Sequence, residues 1–196
     1  MTNVLSLSYA LIALASTLDT EADKQDLAQK IKEGDHKAFR TFYDAHFDSL
    51  LRFLVSRNTS KEAAKDIIQK AFIYIWEHRS KIDPDKSLKS YIFRIAYTRM
   101  LNHHRDHKKF SNDEAVPEQE SRLTPEDHAR ETDLKKAIDR AIEEMPEKRG
   151  MVFRLCFVED LTYKEAAETM EVTPKTIENH MGLALKDIRK SLERFR

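Results

Sequence analysis

The chain has 196 residues, 35% of them charged, and its 34 basic and 34 acidic residues cancel to a formal charge of zero. This length suits one ordinary domain or two small ones. With only 3 glycines and 5 prolines the chain is poor in turn residues, and beyond its N-terminus no segment shows a strand followed by a glycine-rich turn. The composition therefore predicts an all-α protein and argues against sheet-rich and parallel α/β folds.

Residues 1–22 are predicted to form an N-terminal extension, in which Val4–Leu18 is largely apolar. This stretch is shorter than the roughly 20 residues that span a bilayer. No Lys or Arg precedes it, because Lys24 is the first basic residue, whereas a secretory signal begins with a positive segment. We therefore expect a frayed or partner-covered helix, or an overlong gene start, and a cytoplasmic protein.

Residues 23–110 are predicted to form the first domain, because three apolar patterns there keep the 3.6-residue period of a helix. In chain order, the predicted core positions are Phe39, Phe42, Tyr43, Phe47, Leu50, Leu51 and Leu54; Ala64, Ile67, Ile68, Ala71, Phe72, Ile75 and Trp76; and Leu88, Ile92, Ile95, Ala96 and Leu101. Asp83-Pro84 marks a turn between the last two. Aromatic residues at this spacing are ordinarily core rather than a ligand pocket.

Residues 111–131 are predicted to be a flexible acidic linker. The net charge is −6 from Ser111 to Asp133, between +5 from Lys81 to Phe110 and +3 from Thr173 to Arg196. The segment has two prolines and almost no large apolar residues, so it lacks the means to form a core of its own. We expect its acids to screen the two basic segments from stray DNA.

Residues 132–196 are predicted to form a second domain with a helix-turn-helix. Its helical patterns cover Leu134–Met145, Glu147–Val158, Thr162–Met170 and Pro174–Arg194. Thr162 and Glu165 have the spacing of a capping box, and Thr173-Pro174 is a second helix start signal. Two helices with so short a connection form a helix-turn-helix, whose second helix typically enters the major groove of DNA.

The last helix has two different faces at about 100° per residue. The predicted buried face contains Ile177, Met181, Ala184, Leu185, Ile188 and Leu192. The opposite face contains Lys175, Asn179, Gly182, Lys186, Arg189 and Lys190. This second face offers cations for phosphates and an amide for a base edge. Because Gly182 costs up to about 1 kcal/mol inside a helix, we expect it to serve a close approach by the DNA backbone.

Three segments resemble the extracytoplasmic-function (ECF) sigma factors, small two-domain sigma subunits of bacterial RNA polymerase. Met145–Arg189 resembles their region 4, and Asp66–Trp76 (DIIQKAFIYIW) resembles the region 2 signature. Ser90–Lys109 is similar to the next helix, which melts promoter DNA and reads the −10 element. The resemblance implies a protein without catalytic residues, metal or cofactor that binds core RNA polymerase and directs promoter-specific transcription initiation.

The resemblance also implies partners and a polymerase-binding surface. In this family the exposed side of the region 2 helix docks on the coiled coil of the β′ clamp. The matching residues and their exposed neighbour are Asp66, Gln69, Lys70 and Ile73. Further implied partners are the β flap of the polymerase, promoter DNA and an anti-sigma factor, with no small-molecule substrate.

Two sets of positions match the promoter-reading residues of the family. For the −10 element they are Tyr91, Arg94, Tyr97, Thr98, Asn102 and Arg105, and the loop Lys81–Ser87 is expected to help hold a flipped base. For the −35 element they are Lys175, Thr176, Glu178, Asn179 and His180. The helix start and its cationic face add Thr173, Lys186 and Arg189 to the −35 candidates. Tyr91 stands where Trp is usual and Thr98 where Asn is common, so the −10 preference cannot be copied from other members.

Two other readings of the sequence remain open. One is a free-standing helix-turn-helix regulator, which leaves Asp66–Trp76 unexplained, and the other is a helical interaction or membrane-associated module built around Val4–Leu18. His103 and His107 have the i, i+4 spacing of a metal pair, but we expect them to belong to a solvated basic face. The single cysteine, Cys156, is expected to be a small buried hydrophobe.

Overall fold

The computed structural model describes residues 21–110, 138 and 140–193. Within these residues the secondary structure is helical and contains no strand, which confirms the predicted all-α class. No helix among them is long and apolar enough to cross a membrane. The expectations for Val4–Leu18 and for the linker 111–131 lie outside the described residues.

The first helical unit has four α-helices: α1 (Glu21–Glu33), α2 (His36–Val55), α3 (Lys61–Glu77) and α4 (Leu88–Phe110). A single 3₁₀ turn, Arg79–Lys81, lies between α3 and α4. The sequence patterns did not predict α1, whose buried apolar face is small. Gly34, with a φ of +94°, turns the chain from α1 into α2, and the side chain of Asp35 caps α2 by accepting from the backbone N–H groups of Lys37 and Ala38.

The core of this unit lies between α2, α3 and α4. The predicted stripe on α3 is confirmed from Ala64 to Ile75, whose six core positions are all buried, while Trp76 is half-buried under the guanidinium of Arg79, 4.5 Å from the ring centre. On α4 one predicted core position is wrong, because Leu101 is 45% exposed. At about 100° per residue it lies outside the arc of the buried α4 residues, which include Phe93 and Met100.

The second helical unit begins with helical residues 138 and 140–143. It continues with α5 (Glu147–Phe153), a π-helical turn (Arg154–Val158), α6 (Tyr163–Met170) and α7 (Pro174–Glu193). The capping box is confirmed: the Glu165 N–H donates to Thr162 Oγ1 at 3.2 Å, and the Thr162 N–H donates to Glu165 Oε2 at 2.7 Å. Glu171, in the left-handed region at a φ of 55°, ends α6 and starts the turn of the predicted helix-turn-helix.

One position on α7 differs from the prediction. Ile177, Met181 and Ala184 are buried as expected, but Leu185 is 45% exposed. It lies at the edge of the apolar arc, roughly 40° beyond Met181 at 100° per residue, where α5 and α6 no longer cover it. The polar face of α7 is therefore bordered by an exposed leucine.

The two helical units are in direct contact. Helix α6 packs against α4, and the guanidinium of Arg57 in the first unit forms an ion pair with Glu147 in the second. Since α6 also packs against α7, it lies between the −10 candidate helix and the −35 candidate helix.

Candidate functional site

The polymerase-binding candidates share one exposed face of α3. Asp66, Gln69, Lys70 and Ile73 are all exposed, and Ile73 is 47% exposed although it is a large apolar residue. The Lys70 ammonium lies 2.7 Å from the Asp66 carboxylate, with both side chains more than half exposed. An exposed i, i+4 pair of this kind contributes at most about 0.5 kcal/mol, so a partner can replace it at little cost. An apolar residue ringed by hydrogen-bonding groups suits a protein-docking surface.

A histidine from α4 borders this face, which the sequence did not indicate. The charges of Asp66 and Lys70 both act on the His103 ring, so the ring lies near them. Burial is the main reason why the pKa of His103 is lowered, followed by the neighbouring His107. The candidate polymerase-binding face on α3 therefore has His103 of α4 beside it.

Five of the six −10 candidates lie on one side of α4. At about 100° per residue, Tyr91, Arg94, Thr98, Asn102 and Arg105 fall within an arc of roughly 80°. All are exposed except Tyr91, which is half-buried. The Arg94 guanidinium lies 5.2 Å from the centre of the Tyr91 ring, and burial together with the nearby Tyr74 raises the Tyr91 pKa. An aromatic ring flanked by a cation can stack on an unpaired base while the cation follows the backbone.

Tyr97 does not belong to this arc. It lies about 60° outside it and is half-buried. Burial raises the pKa of its hydroxyl, which also lies in the fields of Arg57, Glu147 and Glu171. Two of these three are residues of the second helical unit, so Tyr97 faces that unit instead of the exposed side of α4.

The loop Lys81–Ser87 buries one side chain, exposes four and is hydrogen-bonded to α4 at Ser87. Ile82 is buried, at 5% exposure, whereas Lys81, Asp83, Asp85 and Lys86 are exposed. Lys86 pairs with Asp83 at 3.4 Å, and Ser87 Oγ accepts from the Ser90 N–H at the start of α4. The loop thus presents polar groups at the N-terminal end of the arc that carries the −10 candidates.

The −35 candidates lie on α7 and at its N-terminus. Thr173 caps the helix, accepting from the Thr176 N–H at 3.2 Å. The exposed members are Thr173, Lys175, Glu178, Asn179, Lys186 and Arg189, whereas Thr176 and His180 are half-buried. Lys175 and Glu178 form an ion pair of 2.9 Å. The face thus offers an amide for adenine, a carboxylate for cytosine N4 and cations for phosphates.

Two further residues of α7 belong to this face. Gly182 is exposed, and a Cβ added there would meet no atom within 4 Å. Nothing inside the described part of the chain therefore requires a glycine at this position. The next residue, Leu183, is 44% exposed although apolar. Sequence reasoning missed Leu183, because an isolated leucine in an amphipathic helix gives no signal.

The histidines of α4 lie close to one another and to Thr59. The rings of His103 and His107 are 4.3 Å apart, and His104 Nε2 lies 3.0 Å from the Thr59 hydroxyl. The described residues include no group of three or more His, Cys, Asp or Glu side chains that could hold a metal ion. Cys156 is half-buried rather than fully buried, and burial raises the pKa of its thiol to about 11.

Comparison with known proteins places these faces in a family. Residues 42–110 match the family Sigma-70 region 2, and residues 135–188 match Sigma-70, region 4. RNA polymerase sigma-H factor of Pseudomonas aeruginosa is 23% identical over 188 residues, covering 89% of this chain and 96% of that protein. The ECF RNA polymerase sigma-E factor of Escherichia coli K12 is 25% identical over 175 residues, covering 84% of this chain and 91% of that protein.

Solved structures share the fold. Sigma factor RpoE of Bartonella quintana, in complex with the anti-sigma factor NepR, aligns with a TM-score of 0.66 and 17% identity, covering 82% of this chain and 99% of that one. CnrH, in complex with the cytosolic domain of CnrY, aligns with a TM-score of 0.61 and 17% identity, covering 87% of this chain and 97% of that one. With both regions matched in order over more than half of its length, the chain belongs to the ECF group of the sigma-70 family, the sigma subunits that direct RNA polymerase to promoters.

Proposed function

We propose that three exposed faces of the chain divide the work of an alternative sigma subunit. One face, on α3, docks on the β′ clamp of core RNA polymerase and consists of Asp66, Gln69, Lys70 and Ile73. The arc from Tyr91 to Arg105 contacts the opened −10 element, helped by the loop Lys81–Ser87. The exposed face of α7 reads the −35 element.

The observation that carries this proposal is the exposure of the α3 face. The opposite side of the same helix is fully used in the core, so the helix needs this face for neither folding nor packing. A free-standing DNA-binding regulator has no use for it. The arrangement therefore favours a polymerase subunit over a regulator that works through the helix-turn-helix alone.

We further propose that residues 23–110 and 132–196 are the two functional domains, with residues 111–131 as their linker. The protein acts in the cytoplasm, where the polymerase is, and has no catalytic activity, metal or small-molecule substrate of its own. RpoE and CnrH were each solved with a partner protein, and for RpoE the partner is an anti-sigma factor. By analogy, an anti-sigma factor also binds this chain when it is not bound to the polymerase.

A double substitution tests the α3 face. Asp66→Ala with Gln69→Ala removes two exposed side chains that lie one turn apart. The free energy of unfolding should therefore change by less than about 0.5 kcal/mol, and the melting temperature should move little. Co-purification with core RNA polymerase should fall at least tenfold, which needs only about 1.4 kcal/mol.

Helix α1 offers a closely matched control. Asp26 and Gln29 are also exposed, also one turn apart, and Asp26 also pairs with a lysine four residues on, Lys30. Asp26→Ala with Gln29→Ala should leave polymerase binding unchanged. If the α3 double variant folds normally and still binds core polymerase like the control, the assignment of this face is wrong.

A further inference from the structure

An apolar patch lies at the end of the π-helical turn in the second unit. Phe157 is 50% exposed and Val158 is 56% exposed, although both are large apolar residues. The ring of Phe157 stacks on the ring of buried Phe153, with 4.9 Å between the ring centres. Single exposed apolar residues are common on protein surfaces, whereas adjoining ones mark sites of interaction. This patch, Phe157 and Val158, belongs to none of the three faces proposed above.

The backbone that carries the patch is held from both sides. Leu155, in the same turn, is fully buried. The residue after the patch, Glu159, is buried as well. Its carboxylate accepts a hydrogen bond from the Ser49 hydroxyl, and its backbone carbonyl accepts one from the Lys89 ammonium. The patch is therefore a preformed surface, and π-helical turns often occur at functional sites.

The N-terminus of α1 lies close to this patch. Burial lowers the pKa of Lys89, and the positive charge of Lys24, in the first turn of α1, lowers it further. Because charges are largely screened beyond about 10 Å, the two ammonium groups lie near each other. The Lys89 ammonium also donates to the carbonyl of Glu159, the residue next to Val158. The chain that precedes α1 therefore joins it beside the patch.

The residues that precede α1 have the composition of a segment that needs a cover. Val4–Leu18 contains no Asp, Glu, Lys or Arg and is largely apolar. Segments that stay solvated are rich in charged and polar residues, and this one is shorter than the roughly 20 residues that span a bilayer. Leu18 is three residues from Glu21, which is at most about 11 Å along the chain. The segment thus begins within easy reach of the patch.

We propose that the segment Val4–Leu18 docks on the patch of Phe157 and Val158 in the same chain. Only Asp19 and Thr20 separate the segment from α1. A tether this short gives an effective concentration in the millimolar range, so even a weak apolar contact is formed in most molecules. This docking needs neither polymerase nor DNA and stands apart from the proposed function. A partner that uses the patch must first displace the segment.

Photo-crosslinking from the patch tests this docking in the full-length chain. A benzophenone maleimide is attached to Val158→Cys in a Cys156→Ser background. Trypsin leaves residues 1–24 as one peptide, because Lys24 is the first basic residue, and releases position 158 in the peptide 155–164. The same label at Leu183→Cys is the control, since Leu183 is also an exposed apolar residue of the second unit but lies on α7.

We expect the peptide 1–24 to be the main partner of the label at position 158, with a yield at least about fivefold above that from position 183. Leu7→Asp with Leu11→Asp should lower the yield at least about fivefold, because two carboxylates cannot enter an apolar contact without a large cost. Thr2→Asp with Thr20→Asp adds the same charge outside Val4–Leu18 and should leave the yield unchanged.

An equal mixture of ¹⁵N-labelled and unlabelled chains identifies which copy supplies the segment. Crosslinked peptides should come from the same chain and carry the same isotope. Pairs of mixed isotope at the statistical frequency would assign the segment to a second copy and overturn the proposal. Flotation of the chain with phosphatidylglycerol vesicles, together with loss of the crosslink when they are added, would assign the segment to a membrane and also overturn it.

Equal yields from positions 158 and 183, or a yield that the Leu7→Asp and Leu11→Asp variant leaves unchanged, would likewise contradict the docking. Phe157→Cys provides a second attachment point in the patch. It should give the same crosslinked peptide, so a disturbance by the label at either single position cannot decide the result. Circular dichroism confirms that each labelled chain keeps the helicity of the wild type.

Discussion

Gly182→Ala should change the stability of α7 and its affinity for DNA in opposite directions. The position is exposed, lies inside a 20-residue helix and has room for a Cβ, with no atom within 4 Å of it. Alanine should therefore stabilise the second domain by up to about 1 kcal/mol, which for a domain of this size corresponds to a rise in Tm of about 4–8 °C. If the DNA backbone approaches the Cα of residue 182, the added methyl group should weaken binding of a −35 duplex at least tenfold, or about 1.4 kcal/mol.

Thermal melting by circular dichroism and fluorescence anisotropy with a labelled −35 duplex give the two readouts. Thr41→Ala is the matched control, because Thr41 is an exposed helix residue of α2 whose replacement also favours the helix. It should leave DNA binding unchanged. A Gly182→Ala protein that is more stable and binds the −35 duplex as well as wild type would refute the close approach.

Two further predictions concern base reading and pH. Asn179→Ala should relax promoter preference and cost about 1–3 kcal/mol of binding free energy at the preferred sequence. Lys186→Ala should weaken binding to all promoters alike and lower the slope of log affinity against log salt by about one unit. Equal effects of the two variants across sequences in a binding titration would refute this division. Burial, aided by the charge of Lys89, lowers the pKa of His46 to about 4. The unfolded chain therefore takes up this proton first, and stability should fall as pH drops from about 6.5 towards 4. His46→Gln should make urea-unfolding free energies less dependent on pH in that window, and an unchanged slope would show that another group is responsible.

Local signals in the sequence were sufficient for most of the helices. The capping box of Thr162 and Glu165 and the α3 stripe were predicted correctly because each depends on neighbours within a turn or two. Helix α1 was missed because its buried face rests on few residues, among them Ala28 and Ile31. Leu101 was placed in the core wrongly, since an apolar residue near the edge of a stripe is buried only if a partner helix reaches it.

The contact between the two domains was beyond the reach of sequence patterns. Glu159 is one of two adjacent acids in a short loop, and nothing in its neighbours indicates that Ser49, 110 positions away, contacts it. Tyr97 shows the same limit: its place in the motif suggested a −10 contact, but its direction depends on a helix from the other domain. Tertiary packing determines both, and helical periodicity carries no information about it.

Run-off transcription tests the central claim most directly. Purified core RNA polymerase is mixed with this chain and with genomic fragments, and the transcripts are mapped. We predict discrete start sites on a subset of fragments, each preceded by shared −10 and −35 elements, and their loss with the Asp66→Ala and Gln69→Ala double variant but not with the Asp26→Ala and Gln29→Ala control. A folded wild-type chain that binds core polymerase yet starts no specific transcript, or transcripts that persist unchanged with the α3 double variant, would contradict the account.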